Sequence, residues 1–312
     1  MQKRKLFLLS ACSLLLLICI LQAVTLKRNT VKIFALKDSP DSLLIENGSQ
    51  KTWLFKDGDS WTVSADENST KYAANTANVD SLLNAIKSVK ALDKVGNAAN
   101  EAAQIRYDLT DSKKITVKAY NGGKEARKLT IGKASATGSQ GYVMIDSSSD
   151  VYLSSGNLHD TFNKTVSDLR SNLVWTIDKN SIGSITLKMA DGSEWKLSRT
   201  GQKENIEWKL DGHGIVTGEV DAKKAENWFG EFASLSAASW LDDNASPEGK
   251  YLLTCEIEAG DKNYALDLFL SKEEGENSPA EYTASSTESP YAFELAAYSA
   301  RKFLKEAGEL LK

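Results

Sequence analysis

The sequence predicts an α+β protein: an N-terminal transmembrane helix followed by two tandem, diverged copies of an antiparallel-sheet-plus-helix unit. Three observations support this fold class. Residues 6–26 carry no charge, strand-type alternation surrounds two amphipathic helix patterns, and the elements occur twice in the same order. The chain has 312 residues, which is too long for one typical domain and fits two of ordinary size.

The first element is interpreted as a membrane anchor over residues 1–26. The basic residues Lys3-Arg4-Lys5 precede 21 uncharged residues, and about 20 apolar residues are enough to cross the hydrocarbon core of a bilayer. The early start of this run favours a single pass of the cytoplasmic (inner) membrane with the soluble part outside the cytoplasm. Residues 27–41 are interpreted as a tether, and the two copies are predicted over residues 42–177 and 178–312.

Two other interpretations of the N-terminal segment stay open. A cleaved signal peptide needs a shorter apolar region and small residues before the cleavage site, and the sites ending at Ala23 and Thr25 match this poorly. A lipoprotein would carry lipid on Cys12, but the strongest apolar run, residues 14–21, follows that cysteine instead of preceding it.

The composition indicates a folded protein with an acidic soluble part. Hydrophobic residues make up 41% of the chain and charged residues 26%, which are values of a globular protein and not of a disordered one. The net charge is −4, and because residues 1–28 contribute +5, the remainder carries −9. Binding to nucleic acid needs concentrated Lys and Arg, as does broad docking on anionic lipid. Nucleic acid is therefore not an expected partner.

Each copy contains a hairpin pattern near its start. In the first copy, Lys51–Lys56 and Ser60–Val63 alternate across Asp57-Gly58, a dipeptide that supplies the positive φ of a tight turn. In the second copy, Glu194–Leu197 and Ile206–Leu210 alternate around a longer loop.

An amphipathic helix pattern follows each hairpin. Apolar residues recur at i, i+3, i+4, i+7 and i+10, which places one apolar stripe on each helix and predicts packing against a sheet. The stripes are Val79, Leu82, Leu83, Ile86 and Val89 in the first copy, and Ala225, Trp228, Phe229, Phe232 and Leu235 in the second. Asn78 or Asp80, and Asp221, are the candidate N-caps.

Strand patterns return after each helix, and a closing helix is predicted at the end of each copy, over Leu158–Arg170 and Tyr298–Leu311. The strand patterns are residues 115–120, 126–131, 141–145 and 151–153 in the first copy, and residues 252–257, 264–270, 280–283 and 291–293 in the second. Several landmarks recur at an offset of 141 residues, among them Leu129 with Leu270 and Phe162 with Phe303. The shared order of elements predicts an internal repeat.

The residues that usually carry enzyme chemistry are scarce. The two histidines, His159 and His213, have no second His or Cys at metal-ligand spacing, so no zinc site is predicted. Cys255 is the one cysteine of the soluble part and lies in an apolar strand pattern, which predicts a buried thiol. The sequence predicts no catalytic, cofactor-binding or metal-binding residues.

Three weaker patterns have structural interpretations that are favoured over functional ones. Gly132–Ser135 matches the end of a phosphate loop, but the earlier glycine is replaced by Arg127 and no helix pattern follows, so a hairpin loop is predicted. The adjacent acids Asp242-Asp243 and Glu273-Glu274 could serve acid–base catalysis, although carboxylates in loops are usually solvated. An aromatic face could bind sugar or peptide, but core packing is favoured for the tryptophans of the strand and helix patterns: Trp53, Trp61, Trp195, Trp208 and Trp228.

Several motifs carry a family resemblance. They are residues 56–63, 79–86, 129–133 running into 137–143, 151–153 and 168–170. On these motifs the chain resembles a bacterial family of unknown function, number 4340, well over about residues 42–185 and loosely over the second copy. The resemblance implies an accessory protein that is anchored by one N-terminal helix and is often associated with ABC transport systems of the gliding-motility type. In the second copy, residues 271–278 replace the Gly-Lys-Ala-Ser turn, so any function of that turn does not carry over.

These observations predict a non-enzymatic membrane-anchored accessory protein that acts through protein contacts outside the cytoplasm, with an ABC-type transport system as a candidate partner. The alternative is an extracytoplasmic module that binds a glycan or a small solute, and a hydrolase is the third hypothesis. A concave aromatic pocket would favour the second hypothesis, whereas a flat apolar patch would favour the first.

Overall fold

The computed structural model describes residues 13–20, 22, 31–201, 206–212, 218–276 and 278–312. Most of the predicted membrane anchor, and also His213, lie outside these residues. Residues 13–20 are helical. Among the residues described, no helix is both long enough and apolar enough to span a membrane.

The chain divides into two compact units between Ser171 and Asn172, and each is mostly antiparallel sheet with a few helices. The strands of the first unit are β1 (Lys32–Ala35), β2 (Ser42–Asn47), β3 (Gln50–Asp57), β4 (Ser60–Ser64), β5 (Tyr72–Ala73), β6 (Ser88–Asn97), β7 (Ile115–Asn121), β8 (Lys124–Ala134), β9 (Gly141–Ile145) and β10 (Asp150–Ser154). Its helices are α1 (Thr76–Lys87), α2 (Glu101–Tyr107), α3 (Leu158–Phe162) and α4 (Val166–Leu169).

The second unit has the same mixture of elements. Its strands are β11 (Leu173–Thr176), β12 (Ile182–Met189), β13 (Glu194–Thr200), β14 (Glu207–Gly212), β15 (Ser234–Ser236), β16 (Ser239–Trp240), β17 (Lys250–Ala259), β18 (Lys262–Lys272), β19 (Glu281–Ser286) and β20 (Ser289–Leu295). Its helices are α5 (Ala222–Glu231), α6 (Ala297–Ala300) and a 3₁₀ turn at Ala307–Leu310.

Eight strands of each unit occupy matching places in their sheets. The first sheet has the order β1-β6-β10-β9-β8-β7-β2-β3-β4-β5. The main sheet of the second unit has the order β14-β13-β12-β17-β18-β19-β20-β16, and β11 pairs separately with β15. Both orders can be read from the hairpin that precedes the long helix. In that direction the first sheet runs β4-β3-β2-β7-β8-β9-β10-β6 and the second runs β14-β13-β12-β17-β18-β19-β20-β16, so these eight strands match one for one.

The long helix of each unit packs its predicted stripe against its own sheet. In α1, Val79, Leu82 and Ile86 are buried and lie in one core cluster with Leu43 and Leu54 of the sheet. In α5, Ala225, Trp228 and Phe229 are buried, and the following Phe232 joins the same core. The last members of both stripes, Val89 and Leu235, lie in the next strand, because the chain leaves the helix within one turn.

The helix starts test the predicted N-caps. Asp221 caps α5, its carboxylate accepting from the amides of Lys223 and Lys224, which confirms the prediction for the second unit. The prediction of Asn78 or Asp80 was wrong, because Asn75 caps α1 by accepting from the amide of Asn78. Helix α1 therefore begins one turn earlier than its first apolar residue suggested.

The two predicted closing helices were also wrong in their extent. The first breaks after Phe162, and Thr165 starts a new helix through a capping box with Asp168. This arrangement holds the pKa of Asp168 below its usual range, because the backbone and hydroxyl of Thr165 donate to its carboxylate. The second closing segment holds only α6 and the 3₁₀ turn at Ala307–Leu310. At the break of the first closing segment, the cap formed by Thr165 and Asp168 outcompetes a continuous helix.

Two segments near the predicted domain boundaries form β-strands. Part of the segment interpreted as a tether, residues 27–41, forms strand β1, which pairs with β6. The second unit begins at Asn172, six residues before the predicted start at residue 178. This earlier start has a packing reason, since Trp175 of β11 is buried and its indole N–H donates to the carbonyl of Phe232 at 2.9 Å.

Candidate functional site

The first sheet has a core face and an outward face, and alternation along the strands separates them. Leu43 and Leu54 face the core and are fully buried. Leu44 is paired with Trp53 of β3 on one side and Lys118 of β7 on the other, and these three residues occupy the outward face. Sequence alternation could not assign the faces here, since Trp53, Leu54 and the next residue are all apolar.

Three aromatic side chains form a stack on this outward face, which we call the aromatic ridge: Phe55, Trp53 and Tyr120. The ring centroids of Trp53 and Phe55 are 5.4 Å apart with planes inclined by 5°. Trp53 and Tyr120 are 5.9 Å apart and inclined by 23°. The ammonium of Lys71 lies 4.3 Å from the centroid of Phe55. All three rings are half-buried, so part of each stays accessible.

The stacking decides which part of each ring is available. Nearly parallel rings at these distances are offset stacks, in which neighbouring rings overlap in part. Trp53 contacts both Phe55 and Tyr120, and Lys71 adds a cation–π contact to Phe55. The accessible parts of the three rings therefore form one apolar strip and not a single isolated ring face.

Charged residues beside the aromatic ridge are paired with one another. The carboxylate of Glu46 lies 3.0 Å from the ammonium of Lys118 and 3.8 Å from that of Lys51. The hydrogen bond to Glu46 raises the pKa of Lys118. Partial burial raises the pKa of Tyr120 above its ordinary value, so the phenol stays neutral at physiological pH. The surface beside the ridge thus contains one carboxylate that two lysines share.

The outward face of the second sheet has a different chemistry. Lys188 of β12 and Glu256 of the neighbouring β17 are 2.6 Å apart. Lys196 of β13 and Glu258 of β17 are 3.1 Å apart and reach across β12, which lies between these two strands. Ser184 also donates to the carboxylate of Glu258 at 2.6 Å. Polar and charged residues therefore occupy most outward positions of the strands that match β2, β3 and β7, and Tyr251 of β17 packs against Phe269 of β18 at one end of this face.

Most of the tryptophans pack in or against the cores, as predicted. Trp195 and Trp228 are buried and stack on each other with centroids 5.0 Å apart. Trp61 and Trp208 are partly buried and pack against the core of their own unit. Trp53 differs, because it belongs to the aromatic ridge.

The residues that the sequence offered as candidates for catalysis or phosphate binding mainly contact neighbours within their own unit. His159 lies on α3 with its Nδ1 atom 3.4 Å from the carboxylate of Asp160. Cys255 is fully buried in β17, and burial raises the pKa of its thiol, which disfavours the reactive thiolate. The Gly132–Ser135 motif runs from the end of β8 into a loop before β9, as the hairpin-loop interpretation expected.

The two acid pairs come to the same end of the second sheet, which their separation in sequence did not reveal. Asp242-Asp243 lies in the loop before β17, and Glu273-Glu274 follows β18, which is antiparallel to β17. The hydroxyl of Thr283 at the start of β19 donates to the carbonyl of Glu248, which packs the first loop against this end.

Two buried cations were not singled out from the sequence. Arg127 is 5% exposed, and its Nη1 atom donates to the carbonyls of Phe34 and Ile86 at 3.0 and 3.1 Å. Its Nε atom lies 3.2 Å from the carboxylate of Asp146 as an ion pair without hydrogen-bond geometry. A positive charge at the last carbonyls of α1 is favourable, because the C-terminal end of a helix carries partial negative charge.

Lys302 places a positive charge at the last carbonyls of α5 in the second unit, as Arg127 does for α1 in the first. It is 8% exposed, and its amine donates to the carbonyls of Glu231 and Ser234 at 2.7 and 3.2 Å. Burial lowers the pKa of this lysine to about 8. Because Arg127 and Lys302 come from different elements of their units, no sequence repeat pointed to this shared arrangement.

The fold and this surface define a protein of two sheet-and-helix units with an accessible aromatic strip on the first. The chain belongs to the family of the domain of unknown function DUF4340, whose model matches residues 61–248. No match was found among curated proteins, and none among solved structures.

Proposed function

We propose that this chain is a non-enzymatic, membrane-anchored accessory protein that acts through protein contacts outside the cytoplasm, with an ABC-type transport system as the candidate partner. The aromatic ridge is the observation that carries the proposal. Trp53, Phe55 and Tyr120 remain half-buried on an outward sheet face, and aromatic side chains contribute most where a partner excludes water from them.

The geometry of the ridge favours a protein partner over a sugar. A sugar ring stacks on an isolated, open aromatic face, whereas Trp53 is stacked with Phe55 and Tyr120. An apolar strip of stacked rings with paired charges beside it resembles the core and rim of a protein interface.

The buried side chains that could take part in catalysis support a non-enzymatic role, because in this fold they contribute to stability. The thiol of Cys255 is buried with a raised pKa. The amine of Lys302 and the guanidinium of Arg127 are held by main-chain carbonyls at the ends of α5 and α1.

We also propose that the two units are diverged copies of one ancestral unit. Three features support this: the matching order of eight strands, the recurrence of a fully buried phenylalanine, Phe162 and Phe303, 141 residues apart, and a long helix in each unit that ends on a buried cation.

The anchor belongs to the same proposal and is supported by the uncharged run of residues 6–26. Intact mass of the membrane-purified protein tests it. We expect a mature chain that begins at or near Met1 and needs detergent for extraction. A mature start after Ala23 or Thr25, or lipid on Cys12, would contradict the anchor.

A crosslinked membrane pull-down identified by mass spectrometry tests the ridge. Trp53→Lys should reduce recovery of the specific partner at least tenfold, because it removes the central ring and places a charge in the strip. Lys196→Ala is the matched control, since Lys196 lies on the outward face of β13, the strand that matches β3. Equal recovery with the parent and with Trp53→Lys, in variants of equal melting temperature, would rule the ridge out as the contact surface.

The second candidate function is binding of a glycan or a small solute. One observation favours it: a cavity of about 240 Å³ beside the C-terminal end of α1, lined by Lys90, Ser154 and Leu158 among others. Ligand pockets are typically about 300–1,000 Å³, so a solute is favoured over a glycan here. A ligand whose binding survives Trp53→Lys and is lost in Ser154→Leu would support this candidate instead.

A further inference from the structure

The edge of the first sheet at β1 is a second accessible surface, separate from the aromatic ridge. Phe34 of β1 lies opposite Val89 of β6, and the amide of Leu36 donates to the carbonyl of Lys87 at 2.8 Å. Backbone groups of successive strand residues point to opposite sides, so this register turns the N–H and C=O groups of Ile33 and Ala35 away from β6. Within the described ranges, no strand pairs with that side of β1.

In the second unit, the side chains of the matching segment are buried, although no described strand pairs with its outer edge either. Strand β11 begins 141 residues after β1 and also pairs with the strand after the long helix. Its Val174 is 7% exposed and its Trp175 is 3% exposed. At the matching places, Ile33 is 57% exposed and Phe34 is half-buried. The first unit therefore leaves bare an apolar strand that the second unit buries.

Strand β1 is firmly held in its extended form despite this exposure. The buried guanidinium of Arg127 donates to the carbonyl of Phe34 at 3.0 Å. The ammonium of Lys32 lies over the rings of Phe34 and Tyr152, 4.6 and 5.6 Å from their centroids. Lys32 is thus folded onto aromatic rings and does not project across the edge, where a lysine would oppose strand pairing.

We propose that the free edge of β1 accepts an extended strand of a protein partner, apolar at alternate positions. The main-chain groups of Ile33 and Ala35 would supply the affinity, as in other cases of strand addition. Val31 and Ile33, 46% and 57% exposed, select apolar side chains on the incoming strand. Because β1 is already fixed by Arg127, the edge has little ordering entropy to lose on binding.

Site-specific photo-crosslinking in cells tests the proposal, with a benzophenone amino acid placed at position 33 of the full chain. Ile105 on α2 supplies the matched control, because it is 58% exposed and lies on a helix. We expect a specific adduct from position 33 that is at least tenfold stronger than from position 105.

The decisive variant is Ala35→Pro, combined with the crosslinker at position 33. It removes one outward N–H and leaves the bonds from β1 to β6 in place, so the adduct should fall at least tenfold. An adduct that persists would overturn the proposal, because contact would not require strand pairing. An adduct confined to a second copy, or to the chain's own N-terminal segment, would also overturn it, since another occupant would hold the edge.

If Ala35→Pro does not fold, hydrogen exchange of the parent chain provides an independent test. In the complex captured from membranes, the amides of Ile33 and Ala35 should exchange at least tenfold more slowly than in the purified chain. The amides of Phe34 and Leu36, which face β6, should change little. Uniform protection, or none, would contradict strand addition at this edge.

Discussion

The two units place matching strands in the same order but differ in the chemistry of the outward faces of their sheets. Strands β3 and β7 present the stacked rings of Trp53, Phe55 and Tyr120. The matching strands β13 and β17, with β12 between them, present mainly ion pairs such as Lys188 with Glu256, and one aromatic pair, Tyr251 with Phe269, lies at the end of that face. Net charge follows the same division: residues 29–171 carry 18 basic and 17 acidic residues, and residues 172–312 carry 15 and 25. The second unit thus carries the net negative charge of the soluble part, at −10 against +1 for residues 29–171.

The two units differ on the faces of their sheets that folding does not constrain. The core faces of both units are apolar and contact a long helix, because burial of those side chains stabilises each unit. The outward faces are under no such constraint, so they differ. A face of matched ion pairs is compatible with water, whereas the aromatic ridge leaves apolar surface for another molecule.

The largest expected effect concerns the core of the second unit. Phe232→Asp should lower the free energy of unfolding by about 4 kcal/mol or more, because Phe232 is fully buried between the rings of Trp228 and Phe303. Phe55→Asp on the aromatic ridge should cost only about 1 kcal/mol, since this position is half-buried. Thermal and chemical denaturation measure both variants. Similar losses for the two would mean that the ridge is part of the core and not a contact surface.

Much of the fold could be predicted from the sequence, and the failures have physical causes. Asp57-Gly58 specified its hairpin because only certain residues adopt positive φ, and Gly58 does so at 59°. The apolar stripes located both long helices. Strand β6 was missed, because the helical spacing runs on through Val89 into the strand. The aromatic ridge was missed, because Trp53, Leu54 and Phe55 are apolar on both faces of β3.

The burial of two cations could not be predicted from the sequence, for a different reason. Arg127 and Lys302 are polar residues in local contexts that indicate exposure, and their burial depends on carbonyls at helix ends that are distant along the chain. Only the folded sheet brings Arg127 to the end of α1 and Lys302 to the end of α5.

The second prediction tests the difference between these two cations. Lys302 has a pKa of about 8 in the folded protein, against about 10.4 in an unfolded chain. Below pH 8 the folded protein carries a buried ammonium, and between pH 8 and 10.4 the unfolded chain binds the additional proton. The free energy of unfolding contributed by Lys302 therefore rises with pH across this window, by about 3 kcal/mol.

Comparison with Lys302→Met isolates this contribution from the titration of other groups. The parent should gain stability relative to the variant as pH rises from 8 to 10.4, measured by chemical denaturation at each pH. The thiol of Cys255 and the carboxylate of Glu231 influence Lys302 more weakly than burial does. No such trend is expected between the parent and Arg127→Met, because a guanidinium stays charged throughout this range. A difference for Lys302→Met that is independent of pH would contradict the lowered pKa.

The smallest expected effect compares pairs of outward residues across the two units. A double-mutant cycle on Lys188 and Glu256 should give a coupling energy of at most about 0.5 kcal/mol, because both side chains are more than 40% exposed, at 42% and 45%. A cycle on Trp53 and Phe55 should give about 1 kcal/mol, the usual value for stacked aromatic pairs. Raising the salt concentration to 1 M should nearly abolish the first coupling and leave the second unchanged, since ions screen charges and not ring stacking. If the aromatic pair coupled more weakly than the ion pair, the rings would not be stacked on each other in solution. Their faces would then be open, and the argument for a protein partner over a sugar would fail.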